Sequence, residues 1–343
     1  MSKRAESLTV AITVYNNAAS LKESFLSAAS QLEDSDEIII VDDGSTDGSG
    51  LICEAMQREH SNVRVFHQEN SGVSVARNVA IDNARGRYII FIDADDTLHE
   101  NGLNIYRDAA SQSSPDIIFG DYQFVDEGVE KVLHSINGVP GEHGTDAAKQ
   151  LMSCCLEGLG FSDSSCARMS GAVWGKAYRT DFLNKFGLRF DPSLRRAQDI
   201  AFNLQALCKI NKILYIQTPT YRHTIFPDST SHRINIDLLE QMERYLTSVK
   251  KTVTRFSDDN LYNDYCFNAL NLIIHIATRG GYLEDGIQLH KAVEMIARRP
   301  IFSDAISAAR VRSFIRVREN IKLALLKIKS YRIFSRMLLA SSR

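Results

Sequence analysis

The sequence predicts an α/β protein, a mostly parallel sheet with helices on both faces, continued by a helical C-terminal extension. Two observations predict it. Ile38-Ile39-Ile40-Val41 and Tyr88-Ile89-Ile90-Phe91-Ile92 are short, β-branched and unbroken by polar residues, as strands buried on both faces are. Between Leu8 and Ile92 such runs alternate with segments of helical periodicity, the order that builds a parallel sheet.

Element by element, Leu8–Val14 is a strand and 18–32 a helix with Leu21, Phe25, Ala28, Ala29 and Leu32 on one face. Glu37–Val41 is the second strand, 47–59 a helix, and Val63–Phe66 the third strand. Val73–Ala84 is a helix and Tyr88–Ile92 the fourth strand. After Asp96 the rhythm changes: strands are expected over 116–125 and 129–134, and a Gly/Pro-rich loop over 137–144. A helix over 146–156, a strand over 172–179 and a helix over 199–210 follow. From Ile234 nearly everything reads as helix, broken at Gly280-Gly281 and Arg299-Pro300.

The chain of 343 residues holds one large α/β domain with an appendage, or two domains. Its 44% hydrophobic and 24% charged residues are ordinary for a soluble globular protein, and a net charge of -2 argues against a dedicated nucleic-acid binder. The six cysteines (53, 154, 155, 166, 208 and 266) show no CxxC pair, and are read as reduced, mostly buried thiols of a cytoplasmic protein. Leu8–Val14 is too short and too polar for a secretory signal, and no stretch is long enough to span a bilayer.

Four carboxylates carry the chemistry. Asp42 and Asp43 close one apolar run, Asp93 and Asp95 another, and in an open α/β sheet ligands bind beyond the carboxyl ends of the strands. Carboxylates gathered there suit a hard metal ion or sugar hydroxyls. No G-x-G-x-x-G follows the first strand, where Tyr15-Asn16-Asn17-Ala18 stands, and no P-loop occurs. Phosphates therefore need another partner, and a divalent ion at Asp93-Ala94-Asp95-Asp96 would serve; the bland counterpart is an Asp-rich turn with a helix cap. Asp42-Asp43-Gly44-Ser45 is likewise either a capped turn or an acceptor for the imide N–H of uracil. Arg77 is either a solvated cation or, one turn into a helix beside the crevice, a partner for base or phosphate. Asp199 has its own bland role as a helix N-cap.

Taken in order, Val10–Asn16, Val41–Asp47, Ser71–Asn78, Phe91–Asp96, Trp174–Arg179 and Gln198–Phe202 resemble the family-2 glycosyltransferases of the GT-A fold, over residues 8 to about 231. The resemblance implies that residues 1–105 form the nucleotide-sugar half, residues 106–232 the acceptor half, and residues 233–343 a helical region with a basic tail. It implies Thr13, Tyr15, Asp42, Asp43 and Arg77 around the nucleotide, with Asp93 holding ribose or sugar. Asp95 would ligate Mn²⁺ or Mg²⁺ on the diphosphate, Asp96 sharing that task, and Asp199 would be the general base. The family's usual Glu-Asp is here Gln198-Asp199, so the base is kept and a second acidic contact to the acceptor is lost. Tyr221-Arg222-His223 and 229–232 resemble the loop closing over the donor, with Arg222 on the nucleotide sugar and His223 either completing the metal shell or a plain polar loop histidine. Trp174, Lys176 and Gln198 would face the acceptor, although a lone Trp on a strand is more often core.

The stretch 310–343 carries ten Lys/Arg and one acid, Glu319. Phe314, Val317, Ile321, Leu325 and Ile328 share a helical face, with Leu323 and Leu326 off it, which suits either a solvated cationic helix or peripheral contact with the inner face of the cell membrane. The expected protein is thus a metal-dependent inverting glycosyltransferase of surface polysaccharide biosynthesis. Its donor would be a UDP-sugar and its acceptor a saccharide or lipid-linked saccharide. A sugar-phosphate nucleotidyltransferase and a non-catalytic nucleotide-sugar-binding protein are the rivals.

Overall fold

A computed structural model of the chain describes residues 6–126, 128–136, 139–157, 171–224, 237–283, 285–311 and 317–341. It divides into two compact units, Met1–Cys154 with Ser164–Pro227, and Cys155–Asp163 with Asp228–Arg343.

The first unit is built on one sheet. Its strands are β1 (Leu8–Val14), β2 (Glu37–Asp42), β3 (Val63–His67), β4 (Tyr88–Asp93), β5 (Thr97–Leu98), β6 (Ile117–Asp126), β7 (Val129–Leu133), β8 (Gly141–His143), β9 (Lys176–Arg179) and β10 (Ile213–Thr224). They lie in the order β3-β2-β1-β4-β9-β6-β10-β5, with β7 beside β6 and β8 beside β10. β3, β2, β1 and β4 are parallel; β9 runs antiparallel between β4 and β6. The helices are α1 (Leu21–Ala29), α2 (Ser49–Glu59), α3 (Val73–Asn83), α4 (Gly102–Ser113), α5 (Thr145–Glu157, whose last turn belongs to the second unit), α6 (Thr180–Lys185) and α7 (Gln198–Leu207).

The apolar runs form the middle of the sheet because they are apolar on both faces. All six residues of β2 are buried, and Ile38 and Ile40 point to the same core as Val10, Ile12, Ile90 and Ile92. The four parallel strands and the helices between them stand where the sequence places them, to within a few residues. Several elements went unrecognised, the short helix α6 among them. β10 contains Pro219 and two register shifts against β6, which break its period-2 pattern. β5 is only two residues long. α4 starts after Asn101 in the left-handed region (φ 63°), with no side-chain cap to announce it. The expected loop over 137–144 contains β8, paired with Ile213–Tyr215, while residues 137 and 138 lie outside the described ones.

The second unit continues with α8 (Leu238–Phe256), α9 (Asp259–Arg279), α10 (Leu289–Ala297), α11 (Pro300–Ala308), α12 (Val317–Lys327) and α13 (Tyr331–Ser341). The breaks at Gly280 and Arg299-Pro300 are there, Pro300 opening α11 where its missing N–H leaves nothing unsatisfied. Among the described residues no helix is long and apolar enough to cross a membrane. Of the described cysteines Cys53, Cys155 and Cys266 are buried; Cys166 lies outside the described residues.

Candidate active site

Strand register gathers the carboxylates. Thr13 pairs with Val41 on one side and Asp93 on the other, and Val14 pairs with Asp42, so the ends of β1, β2 and β4 form one edge. Thr13 is half-buried there, and Tyr15, just beyond, is 48% exposed. The loop after β1 is fastened to the loop after β2. The amide of Asn16 donates to Ser45 Oγ (3.0 Å), that of Thr46 to Asn16 Oδ1 (2.7 Å), and that of Ala18 to Asp47 Oδ2 (3.0 Å). Asp47 also accepts from the Ser49 hydroxyl, which holds its carboxyl below the ordinary range.

Asp42 and Asp43 do different work. Asp42 accepts from the Ser45 amide (3.1 Å) and meets His67 Nδ1 (3.0 Å), so it binds the turn to β3. Asp43 Oδ1 accepts from Gln68 Nε2 (2.7 Å) and the Ser71 amide (2.8 Å), and Oδ2 from the Gly72 amide (2.8 Å). Gly72 takes φ 92°, which only glycine adopts readily, and so lets this turn open α3. One lone pair on Oδ2 is left for a ligand N–H.

α3 is the clamp of the site. Arg77 is 3% exposed; its Nη2 donates to Asp93 Oδ1 (2.9 Å) and its Nη1 to Asp199 Oδ1, with the Phe190 ring 5.3 Å from the guanidinium carbon. Burial works against its charge, but Asp199 and Asp93 outweigh it and hold the proton more firmly than usual. The expectation that Arg77 stacks on a base or grips a phosphate is therefore corrected: its fork is spent joining two carboxylates. Asn78, the next residue, donates to the Phe190 carbonyl (2.9 Å) and accepts from the Phe190 amide (2.8 Å), tying the approach to α7 onto α3.

Asp199 is not a cap. The N-cap position of α7 is Ala197, at φ 56° and without a side-chain hydrogen bond, a conformation costing an L-residue about 1–2 kcal/mol. Asp199 turns inward to Arg77. Burial lifts its carboxyl above the ordinary range, while Arg77 and the Val173 amide pull the other way. Its side chain stays 21% exposed. Gln198 beside it has a buried Oε1 with no partner.

The Asp93-Ala94-Asp95-Asp96 corner separates into three roles. Asp93 is paired with Arg77. Asp96 is buried, accepting from the Tyr221 hydroxyl (2.8 Å), His223 Nδ1 (2.9 Å) and the Thr224 amide (3.0 Å). It is thus a positioning residue for His223, and its expected place as a metal ligand is corrected by three occupied contacts. Tyr221 also receives the Asp93 amide (3.2 Å), so one buried hydroxyl ties the corner to β10. Asp95 is exposed and has no hydrogen-bonded side-chain partner among the described residues. Desolvation, with repulsion from Asp96 and Asp93, raises its carboxyl to about 6.

That electrostatic state fits a cation. A carboxylate crowded by two others is relieved by positive charge, and Mn²⁺ or Mg²⁺ commonly takes one or two protein carboxylates plus phosphate oxygens. His223, its Nδ1 held by Asp96, has Nε2 left for such an ion, the usual carboxylate–histidine arrangement. Burial lowers the His223 pKa, but the carboxylates around it, Asp96 first and then Asp93 and Asp95, together raise it further. Among the described residues no three His, Cys, Asp or Glu side chains form a ready-made metal cage.

The expected acceptor residues scatter. Trp174 stacks on Tyr221 (ring centroids 4.9 Å) and His223 (5.1 Å), half-buried against the core, so it supports the corner. Lys176 is 0% exposed, donating to the Ala172 carbonyl and lying over the Phe119 ring (4.9 Å), so as placed it presents nothing to an acceptor. Arg222 points the other way along β10 from His223. It pairs with Glu130 (2.8 Å) at the rim of an open depression of about 880 Å³ between α1 and the Thr97–Glu100 turn. Residues 229–232 lie outside the described ones.

Residues 9–164 match the family model described as glycosyl transferase family 2. Over this segment the chain resembles that family. The chain is 38% identical, over 124 residues, to the glycosyltransferase GlyG of Streptococcus pneumoniae, covering 36% of this chain and 41% of GlyG. The chain thus spans less than half the length of that relative. It is 26% identical over 264 residues to the cholesterol galactosyltransferase of Borreliella burgdorferi, covering 75% of this chain and 72% of that protein. The crystal structure of S. aureus TarS 1-349 in complex with UDP-GlcNAc superposes with a TM-score of 0.66 at 20% identity, covering 96% of this chain and 89% of TarS. The fold is that of the GT-A glycosyltransferases.

Proposed function

We propose that this protein is an inverting glycosyltransferase that moves a sugar from a UDP-sugar to a hydroxyl of a saccharide or lipid-linked saccharide in surface polysaccharide synthesis. The observation that carries the proposal is the Asp93–Arg77–Asp199 bridge, with Asp199 half-buried, open to solvent on one side and raised in pKa. A base must be ionised yet hold a proton well, and burial opposed by one arginine achieves both. Support for the donor comes from TarS, crystallised with UDP-GlcNAc, and support for a lipid-borne acceptor from a relative named for cholesterol.

In the mechanism, the free lone pairs of Asp199 take the proton of the acceptor hydroxyl. The oxygen then attacks the anomeric carbon opposite the nucleotide, and a single displacement inverts it. Arg77 holds Asp199 and Asp93 in register, so base and sugar-binding carboxylate keep a fixed separation. Asp43 accepts the uracil imide N–H, with Thr13 and Tyr15 lining the base. Asp95 and His223 Nε2 would hold Mn²⁺ or Mg²⁺, which when bound neutralises charge on the departing diphosphate. Residues 1–105 then serve the donor, residues 106–232 the acceptor, and the region from 233 onward is the helical extension.

A thermal-shift screen of nucleotide sugars with and without Mn²⁺ tests this. Stabilisation is expected only with a UDP-sugar and metal together. Pyrophosphate release from UTP and a sugar phosphate would instead identify a nucleotidyltransferase, and binding without any transfer or donor hydrolysis a non-catalytic protein.

A further inference from the structure

Within the second unit, α12 and α13 form a helical hairpin whose inner side is not the one sequence periodicity favours. Leu323 and Leu326, off the expected apolar stripe, are 2% exposed, and Phe334 is 0% exposed. Leu326 and Phe334, together with Phe267 and Leu270, line a small internal gap. Ile321 and Ile328, on the expected stripe, are left outside at 44% and 68% exposure, and Ile333 joins them at 58%. Phe314 lies outside the described residues.

The turn concentrates this exposure. Lys329 adopts φ 56°, and the Ser330 amide closes back on the Leu325 carbonyl (2.9 Å). Ile328, Lys329, Arg332 and Ile333 therefore all sit exposed on one knuckle, with Arg336 a turn further along α13. Lys329, Arg332 and Arg336 meet no carboxylate among the described residues. From 320 to 343 the sequence has six Lys/Arg and no acid.

We propose that this knuckle docks on an anionic lipid bilayer. Branched aliphatic side chains beside unpaired cations match the two layers of a membrane surface, acyl chains below and anionic headgroups above. Each cation near such a surface strengthens binding roughly fivefold. A second copy of the chain fits poorly, because a two-fold contact would set cation against cation. Nucleic acid would leave the isoleucines unused. The inference is independent of the donor chemistry, and its test needs no turnover.

The test is co-sedimentation of the full chain with phosphatidylcholine vesicles, with and without phosphatidylglycerol, across a salt series. Binding is expected only to the phosphatidylglycerol vesicles, and weakens as salt rises. Ile328→Ser with Ile333→Ser, and separately Lys329→Glu with Arg332→Glu, are each expected to weaken it by roughly tenfold or more at unchanged melting midpoint. If the serine pair lowers the midpoint, the glutamate pair alone decides. No binding by the wild type, or wild-type binding by the folded variants, overturns the proposal. So does a dimer that the serine pair dissolves while vesicles bind nothing.

Discussion

Arg77 on α3 and Asp199 on α7 stand 122 residues apart in sequence and form an ion pair whose guanidinium is almost wholly buried. The same guanidinium reaches Asp93, so three elements meet at one planar fork. Lysine cannot replace it, since an ammonium lacks the fork that meets two carboxylates at fixed angles.

Asp199→Asn keeps the size of the side chain and removes the base. Turnover is expected to fall roughly 10²–10⁴-fold while nucleotide-sugar binding is kept. Steady-state kinetics beside calorimetric donor titration checks it. Unchanged turnover would take Asp199 out of the chemistry.

Arg77→Ala leaves Asp93 and Asp199 as neighbouring carboxylates without their cation. A loss of about 3–5 kcal/mol is expected for breaking a buried pair from one side. Urea unfolding measures it. Donor binding should weaken as well, because Asp93 loses its anchor.

Cation binding at Asp95 and His223 should depend on pH in one direction. Asp95 is raised to about 6 and His223 lies above its ordinary value, so acidification protonates both and expels a cation. Mn²⁺-dependent donor binding should therefore fall about tenfold per pH unit where one of the two is protonated, and up to roughly a hundredfold per unit below both values. For stability of the metal-free protein the sign reverses. The folded state binds protons more tightly at both groups, so their contribution is present at low pH and lost as pH rises through the folded values. Asp95→Asn should flatten that loss and abolish the metal requirement. Melting curves in chelator from about pH 4 to about pH 8, spanning the ordinary and raised values, would show it, and a profile identical to wild type would exclude Asp95.

Tyr221→Phe removes the hydroxyl shared by Asp96 and the Asp93 amide. Leaving both partners short in a buried place should cost about 1–3 kcal/mol. Chemical denaturation with nucleotide titration would separate lost stability from a displaced corner.

Gly86→Ala tests the close approach that precedes β4. An added Cβ would lie 2.4 Å from the Thr9 amide nitrogen and 2.5 Å from the Leu8 carbonyl carbon, both backbone atoms that no rotamer change moves. About 1–3 kcal/mol of destabilisation is expected. Thermal melting is the measurement.

Much of this architecture was legible in the chain. Apolar runs buried on both faces name their own strands, and the aspartates ending them are assigned to one edge by topology alone. β10 was hidden because Pro219 and its register shifts erase alternation. The motif Ser71–Asn78 was visible, but the partners of Arg77 and Asn78 were not, since Phe190 and Asp199 come from a distant segment.

Local pattern fixed which residues stand at strand ends, because strand periodicity and burial act between near neighbours. Which carboxylate is free, which is paired and which merely orients a histidine was decided only when β10, α3 and α7 closed on the corner. Charge and hydrogen bonding there act across space, between side chains that sequence order keeps far apart. The tail shows the same division: its composition foretold a basic, apolar helix, but packing chose Leu323 and Leu326 for the interior and left Ile328 outside.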